Sequence, residues 1–162
     1  MTTIQNSQFV VAQLIRVTTK EVHYLERTVS RLRLLNIDLL WVESLESSDE
    51  YSEMLDAFVS RYSRLQDTLG DKLIPAMLRA NLEKTGSQLD NLLRAEKLGW
   101  IQSTQDWIEL RELRNRLVHE YMESAEDLLS ALLQAMQGVD VLIATQFRIA
   151  GCVQNFNEVR FP

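Results

Sequence analysis

The chain contains few of the residues that end strands and close tight turns. Its 162 residues include only five glycines and two prolines. A β-sandwich, a β-barrel or a βαβ sheet needs frequent turn residues between its strands, so this composition argues against all three. The length corresponds to about one domain of ordinary size. The sequence therefore predicts a single domain built from helices.

Cysteine and histidine are also scarce. Cys152 is the one cysteine and the chain has two histidines, so neither an internal disulfide nor a zinc site can be assembled from its own residues. No uninterrupted apolar run approaches the ~18 residues that cross a bilayer, and the polar residues Met1 to Gln8 do not resemble a signal sequence. We therefore expect a cytoplasmic protein with no metal, no cofactor and no membrane contact.

Positive charge is in short supply as well. The chain has 17 Lys and Arg against 23 Asp and Glu, which gives a net charge of -6. A protein that holds nucleic acid by nonspecific attraction to phosphate is usually basic. Any contact with nucleic acid must therefore be made by a local site on this chain.

The first third of the chain carries a long helical pattern. Residues of one apolar seam recur every three or four positions and predict a helix from about residue 7 to 35: Val11, Leu14, Thr18, Val22, Leu25, Val29 and Leu32. We interpret the charged residues on its other faces as solvated surface. These are Arg16, Lys20, Glu21, Arg27, Arg31 and Arg33.

Capping and breaking residues divide the rest of the chain. Serines followed three positions later by an acidic residue predict helix starts; they are Ser47 with Glu50, Ser103 with Asp106, and Ser124 with Asp127. Pro75 is expected to kink or divide a helix, and Gly99 to end one. The pattern predicts an all-α, antiparallel bundle of four or five helices over residues 1–150. The last helix is expected to end near Ile149, and a tail from 151 to 162 shows no clear period.

The helix expected to end near Tyr121 carries an arginine within its apolar stripe. Arg114 projects from the middle of a face that also holds Leu110, Leu117 and Tyr121. A guanidinium there costs free energy unless it is paired or faces a polar cleft. Alternatively, Arg114 is a core residue whose stem packs and whose head reaches a carboxylate. The sequence leaves both interpretations open.

His119 and Asn115 occupy another face of the same helix. They are four residues apart, so both can reach a common group. Five residues advance the helix by about 500°, so Arg114 and His119 cannot point at one spot by simple stacking. They can, however, flank a groove at the end of this helix.

The run Arg114-Asn115-Arg116-Leu117-Val118-His119-Glu120-Tyr121 resembles the Arg-x4-His-x-Tyr motif of HEPN domains (higher eukaryotes and prokaryotes nucleotide-binding). The stretch from Leu89 through Leu133 is similar to the late helices of that family, with a turn from Lys97 to Ile101 and Trp107 ahead of the motif. Residues 58–78 fit the second helix of the family less specifically.

This resemblance implies a helical bundle that forms a homodimer, with the two motif helices around one cleft. Many HEPN proteins are metal-independent endoribonucleases, and many act as bacterial toxins whose antitoxin is a minimal nucleotidyltransferase (MNT). In such pairs the motif tyrosine can be modified with AMP. Carried over to this chain, the resemblance implies catalytic roles for Arg114 and His119, an accessory polar role for Asn115, and AMPylation of Tyr121.

The chemistry of RNA cleavage suits these side chains. Attack by the 2′-hydroxyl needs a base, an acid for the leaving 5′-oxygen, and charge stabilisation at phosphorus. A histidine serves as base or acid near neutral pH, and an arginine holds phosphate oxygens with paired donors. One motif histidine cannot easily do both proton transfers, but a two-fold dimer supplies two. The hypothesis is a composite site built from His119 and Arg114 of both chains.

Two other functions remain open. The dimer can be a non-catalytic nucleotide- or nucleotidyltransferase-binding partner subunit, with Tyr121 as an AMP acceptor. It can also be a plain helical dimerisation protein in which Arg114 is a paired core residue. An Arg114 that is sealed against an Asp or Glu of its own bundle would favour this last interpretation.

Overall fold

A computed structural model describes residues 2–120 and 124–158, without the side chains of Glu120 and of residues 154–158. The helices are α1 (Thr3–Arg33), α2 (Leu39–Glu43), α3 (Asp49–Asp67), α4 (Ile74–Ala80), α5 (Gln88–Lys97), α6 (Thr104–Glu120) and α7 (Ala125–Glu158). A short 3₁₀ turn (Ser44–Glu46) follows α2, and a π-helical turn (Thr68–Leu73) joins α3 to α4.

The all-α prediction is confirmed, since no strand occurs among these described residues. The segments α3, π turn and α4 run on without a break, so the described chain has six helical segments. The segment beyond the four or five predicted helices is the short α2. This five-residue helix begins at the cap Asp38, whose carboxylate accepts a hydrogen bond from the backbone N–H of Trp41 (2.8 Å).

Helix α1 forms one wall of the core along most of its length. Its predicted seam is confirmed: six of the seven positions are buried and Leu14 is partly buried. Burying a leucine or valine side chain contributes about 1.5–3 kcal/mol, so this face is held firmly against α3, α4 and α7. Helix α7 runs antiparallel to α1, because Arg33 pairs with Asp140 while Thr18, fifteen residues earlier, accepts a hydrogen bond from Gln146.

The segment from α3 to α4 corrects one predicted boundary and confirms one break. The cap of α3 is Ser48, whose hydroxyl accepts from the backbone N–H of Tyr51; the prediction of Ser47 was one residue too early. Pro75 lies in the first turn of α4, directly after the π turn. Because proline has no N–H and its ring crowds the preceding turn, the predicted division at Pro75 takes the form of a widened π turn within one continuous helical segment.

Helix α7 corrects the predicted tail. The cap is as predicted, because Ser124 Oγ accepts from the backbone N–H of Asp127 (3.3 Å). The helix, however, continues past Ile149 to Glu158. The physical reason is that its apolar spacing persists: Ile149 is fully buried, and Cys152 and Val153 pack against the same core. Residues 159–162 lie outside the described part of the chain.

Helix α7 is also the one described helix long and apolar enough to cross a membrane. The stretch Ala125–Val153 has a mean hydropathy of 1.5, and half of it is buried inside the protein. Core helices of helical bundles share this combination of length, composition and burial.

Candidate functional site

Helix α6 carries the candidate motif and is anchored by α3 and α7. It begins as predicted, since Ser103 Oγ accepts from the backbone N–H of Asp106 (3.1 Å). Trp107, Leu110 and Leu117 are buried. The buried hydroxyl of Tyr62 on α3 donates to the backbone carbonyl of Leu110 (3.1 Å). The apolar stripe read from the sequence is therefore the face that fixes this helix in the bundle.

Two glycines let the neighbouring segments approach α6 closely. A Cβ atom added at Gly70, in the π turn, would lie 3.1 Å from Nε1 of Trp107. A Cβ atom added at Gly138 of α7 would overlap Cδ2 of Leu110. Both segments therefore lie close against the motif helix: a methyl group at Gly70 would need Trp107 to shift by a few tenths of an ångström, and one at Gly138 would need the Leu110 side chain to move.

Arg114 is paired with a carboxylate of its own bundle. Its Nη2 donates to Asp67 Oδ2 on α3 at 2.9 Å, and the two side chains are 29% and 41% exposed. The Nε atom of Arg114 is buried and has no hydrogen-bond partner among the described residues. The pairing with an acidic residue of its own bundle is one part of what a structural role requires, and sealing from solvent is the other. The guanidinium is nevertheless not sealed, because more than a quarter of the side chain meets solvent.

His119 and Asn115 lie on the exposed side of α6. The neighbouring Val118 is 54% exposed, so this face of the last two turns has no covering element within the described chain. A single chain therefore directs Arg114 toward α3 and His119 toward solvent. Tyr121, the predicted AMP acceptor, lies outside the described residues.

A polar cavity adjoins the Arg114–Asp67 pair. It has a volume of about 530 Å³ and is lined by Ser60, Ser63, Arg64, Asp67, Thr68, Asp71 and Lys72. No apolar residue contributes to it. Two cations, Arg64 and Lys72, lie along one face of α3 and the π turn, eight residues apart. These two cations are donors suited to phosphate oxygens, but Asp67 and Asp71 place two carboxylates at the same cavity.

Glu21 of α1 contacts the same region and corrects the sequence interpretation. It was taken as solvated surface, but it is half-buried. Its Oε1 accepts from the hydroxyl of Thr68 (3.0 Å), while its Oε2 is buried and has no partner among the described residues. Burial raises the pKa of the Glu21 carboxyl, and the Thr68 hydrogen bond and the nearby Arg64 and Lys72 oppose that rise.

Sequence reasoning missed Glu21, Asp67 and Thr68 as neighbours of the motif. The spacing within α1 places Glu21 at the edge of the buried seam, where a side chain can be either exposed or covered. Which of the two occurs depends on the segment that packs there, the end of α3 and the π turn. Asp67 ends α3 at the start of the π turn, a feature with no clear sequence signature. A polar residue next to buried helical positions, such as Asp67, is too common in sequences to be singled out as a site residue.

The described residues hold no group of three or more His, Cys, Asp or Glu placed to bind a metal ion. In comparisons with protein families, with curated proteins and with solved structures, no match to this chain was found.

Proposed function

We propose that this chain is a toxin-type, metal-independent endoribonuclease of a HEPN–MNT pair, which acts as a cytoplasmic homodimer and is neutralised by a minimal nucleotidyltransferase. The observation that carries the proposal is the end of α6. His119 and Asn115 are exposed there, four residues apart, beside a partly exposed Arg114. These are the residues of the motif that resembles the HEPN family.

The proposed reaction uses each side chain in one role. An imidazole takes the proton from a 2′-hydroxyl, and that oxygen attacks the adjacent phosphorus. The bond from phosphorus to the 5′-oxygen breaks, and a second imidazole returns a proton to the leaving oxygen. The products are a 2′,3′-cyclic phosphate and a free 5′-hydroxyl. Arg114 stabilises the charge on the phosphate oxygens, and Asn115 positions the phosphate beside His119.

A second copy of the chain is required by this chemistry. One chain contributes one motif histidine, and its Arg114 points toward α3 rather than toward His119. A two-fold axis beside the exposed end of α6 would bring two imidazoles and two guanidinium groups around one phosphodiester. The dimer is therefore part of the proposal.

The ion pair with Asp67 favours a second function. If Arg114 serves only to tie α6 to α3, the chain is a helical dimerisation protein without catalysis. The two functions differ in what the loss of His119 changes. Among the side chains that the structure describes, no hydrogen bond or ion pair holds the His119 imidazole, so in this second interpretation its removal should leave stability and dimerisation unchanged.

The test is RNA cleavage by the purified protein in the presence of a metal chelator. His119→Ala should reduce cleavage by about 10²-fold or more, the usual contribution of a positioned acid or base, with unchanged thermal unfolding. Glu112→Gln, an exposed position on the same helix, is the matched control and should cleave normally. Cleavage that survives in His119→Ala contradicts the proposal. Absence of cleavage in the unaltered chain would leave the two non-catalytic functions, the nucleotide- or nucleotidyltransferase-binding partner subunit and the dimerisation protein.

A further inference from the structure

The exposed face of α1 carries a line of cations. Taking 100° per residue, Arg16, Lys20, Arg27 and Arg31 fall within an arc of about 60°. All four are exposed. They extend over fifteen residues, a rise of about 22 Å. We call this set, Arg16, Lys20, Arg27 and Arg31, the basic ridge.

The basic ridge is free of opposing charge on its own helix. The acidic residues of α1 are Glu21 and Glu26, and both project at least about 60° to the side of the ridge. Among the side chains that the structure describes, none of the four cations forms an ion pair. One end is partly screened, since Arg31 lines a cavity of about 350 Å³ together with Glu50 and Glu53 of α3. The positive charge is therefore concentrated between Arg16 and Arg27.

An aromatic ring borders the ridge. Tyr24 is 48% exposed and lies beside Arg27 and Lys20 on the helix surface. The guanidinium of Arg61 from α3 sits over this ring, 5.4 Å from its centroid, and also donates to Thr28 Oγ1 (2.6 Å). The ring of His23 also lies tilted beside it, 5.7 Å between centroids, so Tyr24 is contacted by two neighbours while about half of the residue stays exposed to solvent.

We infer that the basic ridge binds the backbone of single-stranded RNA, with Tyr24 stacking against a base. Cations one or two turns apart on one face of a rigid helix follow a line of phosphates, and an aromatic ring beside them supports bases of any sequence. An acidic chain needs such a local site to hold RNA at all. An anionic membrane fits less well, because an interfacial helix inserts its apolar face, and the seam of α1 is already buried in the bundle.

The ridge is separate from the proposed cleavage site. It faces away from the core, and α1 packs against α3, α4 and α7 rather than against α6. The inference therefore goes beyond the proposed function: the ridge holds a strand whether or not His119 cuts it. Its test is a measurement of binding, made in the His119→Ala background so that cleavage cannot interfere.

The probe is a fluorescein-labelled oligouridylate, with affinity measured by anisotropy over a range of salt concentrations. Four phosphate contacts predict a slope of log K against log salt of about −2.8, and Lys20→Gln with Arg27→Gln should reduce it to about −1.4. The affinity of this double variant should fall by tenfold or more at low salt. Lys84→Gln with Lys97→Gln makes the same change in net charge away from α1 and should bind normally.

Tyr24→Leu should weaken binding without changing the salt slope, since it removes stacking and no charge. Equal losses in both double variants would show that net charge alone governs binding and would overturn the inference. Binding to phosphatidylserine vesicles but not to the oligouridylate would also overturn it. Neither of these two results tests the proposed nuclease activity, which is measured separately as RNA cleavage by the chain that retains His119.

Discussion

At the end of α6, one ion pair separates the two interpretations of the motif arginine. Arg114 and Asp67 are both partly exposed, so solvent screens their attraction and the pair contributes at most about 1 kcal/mol to folding. A contribution of that size does not by itself explain an arginine within an apolar stripe. A phosphate group that displaced the Asp67 carboxylate could accept hydrogen bonds from the same donors of the Arg114 guanidinium, so the pair does not prevent phosphate binding.

A double-mutant cycle measures this contribution. Asp67→Asn, Arg114→Gln and the combined variant should show a coupling free energy of unfolding of about 1 kcal/mol or less in urea titrations. At the same time Arg114→Gln should reduce RNA cleavage by far more than its effect on stability accounts for. A coupling of several kcal/mol, with cleavage lost equally in Asp67→Asn and Arg114→Gln, would mark the pair as structural.

Glu21 predicts a pH dependence with a defined sign. Because burial raises its pKa in the folded protein, the folded state binds this proton more tightly than the unfolded chain does. The stability that Glu21 contributes is complete below its unfolded pKa of about 4.5 and is lost as the pH rises through the higher folded value.

Glu21→Gln should therefore stabilise the protein at pH 7, by less than about 1 kcal/mol because the carboxylate is half-exposed and screened. The gain should vanish at pH 4, where both states of the unaltered chain are mostly protonated. Urea unfolding at the two pH values checks this, with the exposed Glu26→Gln as control. A loss of stability in Glu21→Gln at pH 7 would contradict the assignment of burial as the main cause.

At the scale of the elements, periodicity and capping predicted most of the helices. The seam of α1, the caps of α6 and α7, the break at Pro75 and the end of α5 at Gly99, which has a φ of +78°, were all read from local sequence. Each depends on neighbours within four residues, which the sequence displays directly.

The predictions that the structure corrected concern features that depend on packing between elements. The residues beyond Gly151 show no clear period, so the partly buried Cys152 and Val153 that extend α7 were not recognised. The burial of Glu21 depends on its packing against the segment around Thr68, which begins the π turn. The exposed His119 was predicted as part of a site, but the Asp67 partner of Arg114 was not, because their pairing spans 47 residues. Long-range pairing of two polar side chains leaves no periodic trace in the sequence.

The close approach of α7 to α6 gives a prediction for this interface. Gly138→Ala should destabilise the fold by about 1–3 kcal/mol, because the new methyl group overlaps Leu110 in a filled core. Gly151→Ala in the same helix has nothing within 4 Å of the added Cβ and should stabilise by up to about 1 kcal/mol. Thermal unfolding of the two variants measures the difference. Equal gains in stability would mean that α6 and α7 are less tightly packed than described.

At the scale of the whole molecule, the two features proposed to act on RNA lie on different helices of an acidic bundle. The basic ridge lies on the outer face of α1, and the motif lies at the exposed end of α6. An acidic surface elsewhere would repel a strand that strays from these two places. This arrangement suits a protein that holds RNA weakly along one face and cuts it only where two subunits meet.

The proposed dimer has its own test in solution. Sedimentation equilibrium should give twice the 18.8 kDa mass of one chain. Val118, exposed beside His119, should lie near the two-fold axis, so Val118→Lys should weaken association by charge repulsion across it. A chain that remains monomeric at concentrations where it cleaves RNA would leave the composite site without its second histidine.

The most direct measurement is cleavage by a dimer in which only one subunit carries His119→Ala. Two differently tagged chains, co-expressed and purified through both tags, provide this species. Because each imidazole has a separate proton transfer in the proposed reaction, the mixed dimer should cleave RNA about 10²-fold more slowly than the unaltered dimer. Half of the unaltered rate would show that each subunit works alone, and would contradict a site shared between them.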